Sequence, residues 1–316
     1  MNESASRMKE DVTYALFDLD PAAYYKEKYA NVHAVGAAAR ESLAVRSTLI
    51  YQKAADLLAA LRDCMSETGS RALKVLEVGC GSGTFGGRIK HAFPEVRLYG
   101  VDMSAACIEL SRRNGFDEAV VCDAVQGLPY ADETFDFIYT MDYFGHIEFR
   151  SKNAMIAELY RVTKPGGWGF HGIETGFIDY LGCNPKDPED RIRKYVYMEG
   201  HIGVEPLEDI VARFEPYFDI VRAIPFPIHP LLNIANILNS RFWGEPFAAA
   251  FAEVDSPQSR LAADLVIGWI NRRLTEQLRQ MYGDRLIRSE VRSNPMTDAM
   301  LKGAGFSMTT LRKRIR

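Results

Sequence analysis

Paired cysteines are missing from this chain. Its five cysteines, at 64, 80, 107, 122 and 183, form no CxxC pair and lie too far apart for a zinc site or a disulfide framework. That spacing predicts a reduced, cytoplasmic protein. Long apolar runs are missing too. The most apolar late stretches, 226–238 and 247–251, are broken by Pro, His, Asn or charge. They fall short of the roughly 18–20 apolar residues of a membrane span. Residues Met1 to Asp11 are polar and hold no apolar leader core. Excess positive charge is also absent: the formal net charge is −4, and the only dense basic run is Leu311 to Arg316. A polyanion partner needs a wider basic patch than one tail, so neither nucleic acid nor membrane is expected as a partner.

What the chain has is an ordinary globular make-up. With 316 residues, 47% hydrophobic and 25% charged, it can bury a large core without disulfides or metals. Residues 40–62 place Leu43, Ile50, Ala54, Leu57, Leu58 and Leu61 at near-helical spacing. Lys74 to Val78 is a short β-branched run ending at glycines, which predicts a buried strand. Further strands are expected at 96–101, 119–122, 135–140 and 167–173, alternating with helices at 84–92, 104–114 and 151–163. Alternation at this pitch predicts parallel strands joined by crossover helices. Beyond 180 a helix is expected at 205–214, with Pro206 near its start, and a strand at 218–223. Residues 229–304 read as a helical insertion, and 306–312 as a strand that could close the sheet.

Glu77-Val78-Gly79-Cys80-Gly81-Ser82-Gly83-Thr84 stands where the first strand turns into a helix. Glycines there let a backbone approach a ligand closely, and the helix N-terminus offers N–H groups to an anion. Alone, the cluster fits two ligands. Gly81, Gly83 and Gly86 also spell the GxGxxG of dinucleotide enzymes, with Asp102 about 20 residues on.

Four ordered segments carry a resemblance. Val75 to Phe85 resembles the first motif of the class I S-adenosylmethionine-dependent methyltransferases, small-molecule branch. Leu98 to Ser104 resembles the second-strand motif, and Cys122-Asp123-Ala124 with Phe135 to Ile138 the third. Glu158 to Gly167 resembles the helix and turn before the fifth strand. The resemblance covers roughly residues 70–175. It implies a doubly wound, mostly parallel seven-stranded α/β sheet and S-adenosyl-L-methionine as cofactor. It also implies that Asp102 takes both ribose hydroxyls and that Asp123 and Ala124 contact the adenine. Glu77, Gly79, Cys80, Gly81, Gly83, Met103, Thr140 and Met141 complete the implied cofactor site. A carboxylate suits a vicinal diol through two charge-assisted hydrogen bonds, and an acidic, carbonyl-lined pocket suits a sulfonium.

Methyl transfer is an in-line displacement, assisted mainly by placing and desolvating the acceptor. The residues for this are expected after the fourth and fifth strands, where open sheets bind ligands. His146 matches a histidine common at that place in the family and could take a proton. His171 and Glu174 form a second polar pair on the fifth strand. In metal-using quinone-type members an acid precedes the histidine; here Gly145 stands there, so no metal is expected. His33, His91, His201 and His229 show no paired spacing and read as structural or surface. The expected division is an N-terminal helical cap over 1–69, a cofactor core over 70–228, the insertion over 229–304, and a last strand and basic tail over 305–316. The apolar stripe from Phe226 to Trp243 would line an acceptor pocket or a homodimer face. The expected reaction is methyl transfer to an O or N atom of a small metabolite of sugar or natural-product type. Carbon methylation, a non-catalytic cofactor-binding protein and an NAD enzyme are its rivals.

Overall fold

A computed structural model describes residues 53–175, 200–226 and 306–315. The insertion 229–304, the apolar stripe beyond Phe226, and the cap up to residue 52 lie outside these described residues. Helix α1 is described over residues 53–68. It is followed by β1 (Lys74–Val78), α2 (Thr84–Ala92), β2 (Arg97–Asp102), α3 (Ala105–Arg113), β3 (Glu118–Val121) and β4 (Phe135–Met141). Then come α4 (Phe149–Val162), β5 (Thr163–Ile173), α5 (Leu207–Phe214), β6 (Phe218–Phe226) and β7 (Phe306–Lys313).

The strands form one seven-stranded sheet in the order β3-β2-β1-β4-β5-β7-β6. β1 to β5 run parallel, while β7 pairs antiparallel with both β5 and β6. Both late segments are therefore strands, and β7 slots between its neighbours instead of closing the edge. The chain moves outward from β1 in one direction through β2 and β3, then restarts on the other side at β4. That reversal opens a crevice at the carboxyl ends of β1 and β4, the place where such sheets bind ligands.

Apolar alternation on the strands explains how both faces are covered. One face packs Leu57 and Leu61 of α1 and Ile89 of α2 against Val75, Leu98 and Phe137. The other packs Ile156 and Leu159 of α4 and Phe214 of α5 against Leu76, Val101 and Ile138. Helix α3 starts where expected because the Ser104 side chain accepts the Cys107 N–H. In α5, Pro206 is the N-cap residue itself and the helix begins at Leu207. The basic run of β7 is engaged internally. Lys313 is buried and donates to the carbonyls of Tyr160 and Thr163, at 2.9 and 2.7 Å. Arg314 pairs with Asp219 and Arg312 with Glu67. Among the described residues no helix is long and apolar enough to cross a membrane.

Candidate active site

The glycine loop is bound to the second strand before any ligand arrives. The N–H groups of Gly79 and Cys80 both donate to the Val101 carbonyl, at 2.9 and 3.0 Å. Gly81 donates to Oδ2 of Asp102 at 2.9 Å, and Ser104 to its Oδ1 at 2.8 Å. One carboxylate thus holds the loop and the start of α3 together while each oxygen keeps a lone pair for a further donor. Burial pushes the Asp102 carboxyl up, against the pull of those two N–H groups. Gly79 has φ 71°, and a Cβ there would come within 2.4 Å of the Tyr143 ring. The loop needs glycine at that point for both reasons. Gly81 has φ 51°, and no described residue lies within 4 Å of a Cβ placed there. Gly83, the N-cap of α2, lies in the left-handed region with no side-chain cap, and within the first turn the Gly86 N–H is given to Glu77.

Glu77 lies beneath the loop rather than on its surface. It is fully buried, and its Oε2 accepts the Tyr139 hydroxyl at 2.7 Å. Burial pushes its carboxyl up to about 8, despite that hydrogen bond and one from the Gly86 backbone. Asp123 caps a single turn at Ala124–Gln126 by accepting the Val125 N–H at 3.1 Å. Cys80, Ala124, Thr140 and Met141 are buried, whereas Met103 is 48% exposed, an apolar side chain left open at the end of β2.

The turn after β4 connects this half to a second group of polar side chains. The phenol of Tyr143 is pushed up by burial first and then by the carboxylates of Asp123 and Asp102. His146 closes the turn Phe144–His146, its N–H donating to the Tyr143 carbonyl at 3.0 Å. Its Nδ1 lies 3.0 Å from the Gly200 carbonyl, and its Nε2 is 3.7 Å from Oε1 of Glu174. His201 Nε2 approaches the same oxygen at 3.9 Å, and the two imidazoles stack with centroids 4.6 Å apart. Glu174 is buried, and its carboxyl is held above the usual range, mainly by desolvation.

His171 stands apart from this group in chemistry. Its ring is buried, stacks on Phe214 and meets the edge of Phe144, with Nδ1 3.0 Å from the Thr140 hydroxyl. Burial pushes it down to about 3, so it is neutral at physiological pH. The structure therefore brings together His146 and Glu174 of the expected catalytic residues, and places His171 in the packed layer below them.

Three residues were not singled out by the sequence reading. His201 was read as structural or surface, because nothing in its spacing points to His146 or Glu174. Asp142 adopts φ 50°, an uncommon conformation for a residue with a Cβ, and pairs with Lys53 just after β4. Lys53 also lies over the Phe306 ring, 3.6 Å from its centroid. The unusual backbone of Asp142 is invisible in sequence. The helical pattern around 53 marks a packing face and does not reveal that its lysine reaches the end of β4.

Residues 75–167 match a family model described as a methyltransferase domain. The chain is 27% identical over 169 residues to malonyl-[acyl-carrier protein] O-methyltransferase of Hahella chejuensis, covering 53% of this chain and 57% of that protein. It is 32% identical over 102 residues to demethylmenaquinone methyltransferase of Deinococcus radiodurans, covering 30% of this chain and 40% of the relative. The aligned segments thus span little more than half of one relative and less than half of the other. Among solved structures, phosphoethanolamine N-methyltransferase 2 of Haemonchus contortus, in complex with S-adenosyl-L-methionine, is 17% identical. The match covers 77% of this chain and 49% of that one, with a TM-score of 0.46.

Proposed function

We propose, from the premise that residues 75–167 are a class I methyltransferase domain, that this protein moves a methyl group from S-adenosyl-L-methionine to an O or N atom of a small metabolite. The observation that carries the reading is the loop of Gly79 to Gly83 joined to Asp102, with the Tyr143 ring of the turn after β4 packed against Gly79.

The residues present suit the cofactor. Among the described residues nothing crowds Gly81, which leaves room for a ligand to meet the loop backbone. Asp102 has lone pairs left for the ribose hydroxyls, and the exposed Met103 offers an apolar face for the adenine, with Asp123 at its edge. The positive end of the α2 dipole suits the carboxylate of the amino-acid portion. When bound, the cofactor supplies a methyl on a sulfonium, a good leaving group for in-line displacement.

The chain's own part is placement, charge and desolvation. Asp102 and Asp123 flank the loop, and Asp142 is matched by Lys53, so the lining is acidic where a fixed cation would lie. His146, Glu174 and His201 form the polar floor on the acceptor side and hold the acceptor's heteroatom and its proton. His171 is a positioning residue: neutral and packed on Phe144 and Phe214, it supports the turn that carries His146. The test is mass-spectrometric detection of a product one methylene heavier, with release of S-adenosylhomocysteine, across hydroxyl- and amine-bearing metabolites. His146→Ala should lower turnover by roughly 100-fold, the lower range for a lost proton-handling group, while cofactor binding persists. Cofactor binding without turnover on any acceptor would favour a non-catalytic binding protein.

A further inference from the structure

We propose that His146, Glu174 and His201 bind a divalent first-row transition ion of the zinc type, through two imidazole nitrogens and one carboxylate oxygen. Their ligand atoms all lie within 4.8 Å of one another. The carboxylate is the informative member. Its Oε2 accepts the Gly145 N–H at 3.1 Å, which fixes its orientation. Its Oε1 is buried, is aimed at both histidines, and has no hydrogen-bond partner among the described residues. A buried carboxylate oxygen without a partner is costly, because it has given up water and gained nothing in return.

A proton is a poorer fit to this geometry than a metal ion. His146 Nδ1 faces a carbonyl at 3.0 Å and so donates to it, leaving Nε2 as the lone-pair nitrogen of the neutral ring. That nitrogen and Oε1 of Glu174 are both electron-rich, and a cation between them relieves the repulsion. A shared proton would draw the pair to about 2.7–2.9 Å, whereas the separations are 3.7 Å to His146 and 3.9 Å to His201. One proton also bridges only one of the two pairs. A tetrahedral ion with bonds of about 2.0–2.1 Å spaces its ligand atoms about 3.4 Å apart. The two histidine–carboxylate separations of 3.7 and 3.9 Å lie a few tenths of an ångström above that spacing, and all three ligand atoms lie within 4.8 Å of one another.

The surroundings hold the three ligands in register. A Cβ at Gly145 would lie 2.9 Å from Oε2 of Glu174, so glycine is what admits the carboxylate. Gly203 donates to the Gly145 carbonyl at 2.8 Å, and Thr175 bridges to Glu205, fastening the segment that carries His201. Buried Lys152 secures the same segment through Glu205 and the Gly203 carbonyl. The neighbouring lysines are thus committed to other acids, Lys53 to Asp142 and Lys152 to Glu205. Histidine held by a backbone carbonyl and carboxylate held by an N–H are the outer contacts that metal ligands use. Two histidines and one carboxylate leave a coordination position open. On the methyl-transfer reading, and only there, that position would hold an acceptor hydroxyl as its oxyanion, the proton passing to water.

The experiment titrates the full-length, chelator-treated protein with Co²⁺, follows visible absorption, and then displaces the ion with Zn²⁺ by calorimetry. We expect one saturable ion per chain with the intense bands of a low-coordinate site. Zn²⁺ affinity should fall at least tenfold in Glu174→Gln and in His201→Ala, and stay at the wild-type value in His91→Ala, at an exposed histidine outside the cluster. His201→Cys, shown to be folded by circular dichroism, should add a thiolate-to-cobalt charge-transfer band that the wild-type protein lacks. No saturable binding, equal binding in the cluster variants, or no new band in His201→Cys overturns the proposal. A parallel S-adenosylhomocysteine titration separates the two readings. Nucleoside binding without metal binding overturns the metal site alone, and metal binding without nucleoside binding overturns the cofactor reading alone.

Discussion

Raising the pH from 6 to 8 should weaken the fold through one buried carboxyl, that of Glu77. In the native state burial lifts this group from 4.5 to about 8. The native protein therefore retains a proton that the unfolded chain releases above about 4.5. The resulting stabilisation is complete below that pH, declines by about 1.4 kcal/mol per pH unit as the pH rises, and is gone above 8. Between pH 6 and 8 the loss is about 2 kcal/mol. Glu77→Gln isolates the effect, since its amide oxygen can still accept the Tyr139 hydroxyl and it does not titrate. Urea unfolding followed by far-ultraviolet circular dichroism at pH 6, 7 and 8 gives the comparison. Wild type should lose about 2 kcal/mol relative to the variant across that range. A constant difference would show that Glu77 is ionised in the native state. A neutral Glu77 matters to function, because the negative charge facing the ligand then comes from Asp102 and Asp123 alone on this side.

Two other perturbations probe the loop and the layer beneath the site. Gly79→Ala puts a Cβ at φ 71° and 2.4 Å from the Tyr143 ring. It should lower stability by about 1–2 kcal/mol and weaken S-adenosylhomocysteine binding, both measurable by thermal shift with and without the nucleoside. A loop variant as stable as wild type would refute the close approach. For His171, burial holds the ring down to about 3, so its contribution to stability is present above its ordinary 6.5 and lost as the pH falls from there towards 3. The ring resonances of His171 in a ¹H–¹⁵N spectrum should stay in the neutral form down to pH 4. Titration near 6.5 would place the ring in contact with solvent.

The parallel half of the fold was legible because its signals are local. β-branched runs end in glycine, and Ser104 caps a helix in the residues that follow β2. Asp102 and the loop it holds could be paired because both stand at ends of adjacent strands. The antiparallel end was only half legible. Residues 218–223 and 306–312 both read as strands, but insertion of β7 between β5 and β6 depends on pairing across the long intervening segment, which no local pattern records. Glu77 was assigned to the cofactor site from its motif, and its position under the loop follows from the pleat: it shares β1's register with Gly100 and Tyr139, inside the sheet. His201 was the hardest to read. Its partners come from the end of β5 and the turn after β4, and contacts between segments far apart in sequence, such as Gly203–Gly145 and the Thr175–Glu205 bridge, bring them together.

The proposed methyl transfer rests on S-adenosylmethionine being held by the Gly79–Gly83 loop and Asp102. This binding is tested most directly by calorimetric titration with S-adenosylhomocysteine, with NADH as the control, on wild type and Asp102→Ala. The account predicts saturable binding of the nucleoside and none of NADH. It also predicts a loss of about 2–4 kcal/mol in Asp102→Ala, as expected for charge-assisted hydrogen bonds to a diol. Binding of NADH alone, or undiminished nucleoside binding by the variant, would contradict it.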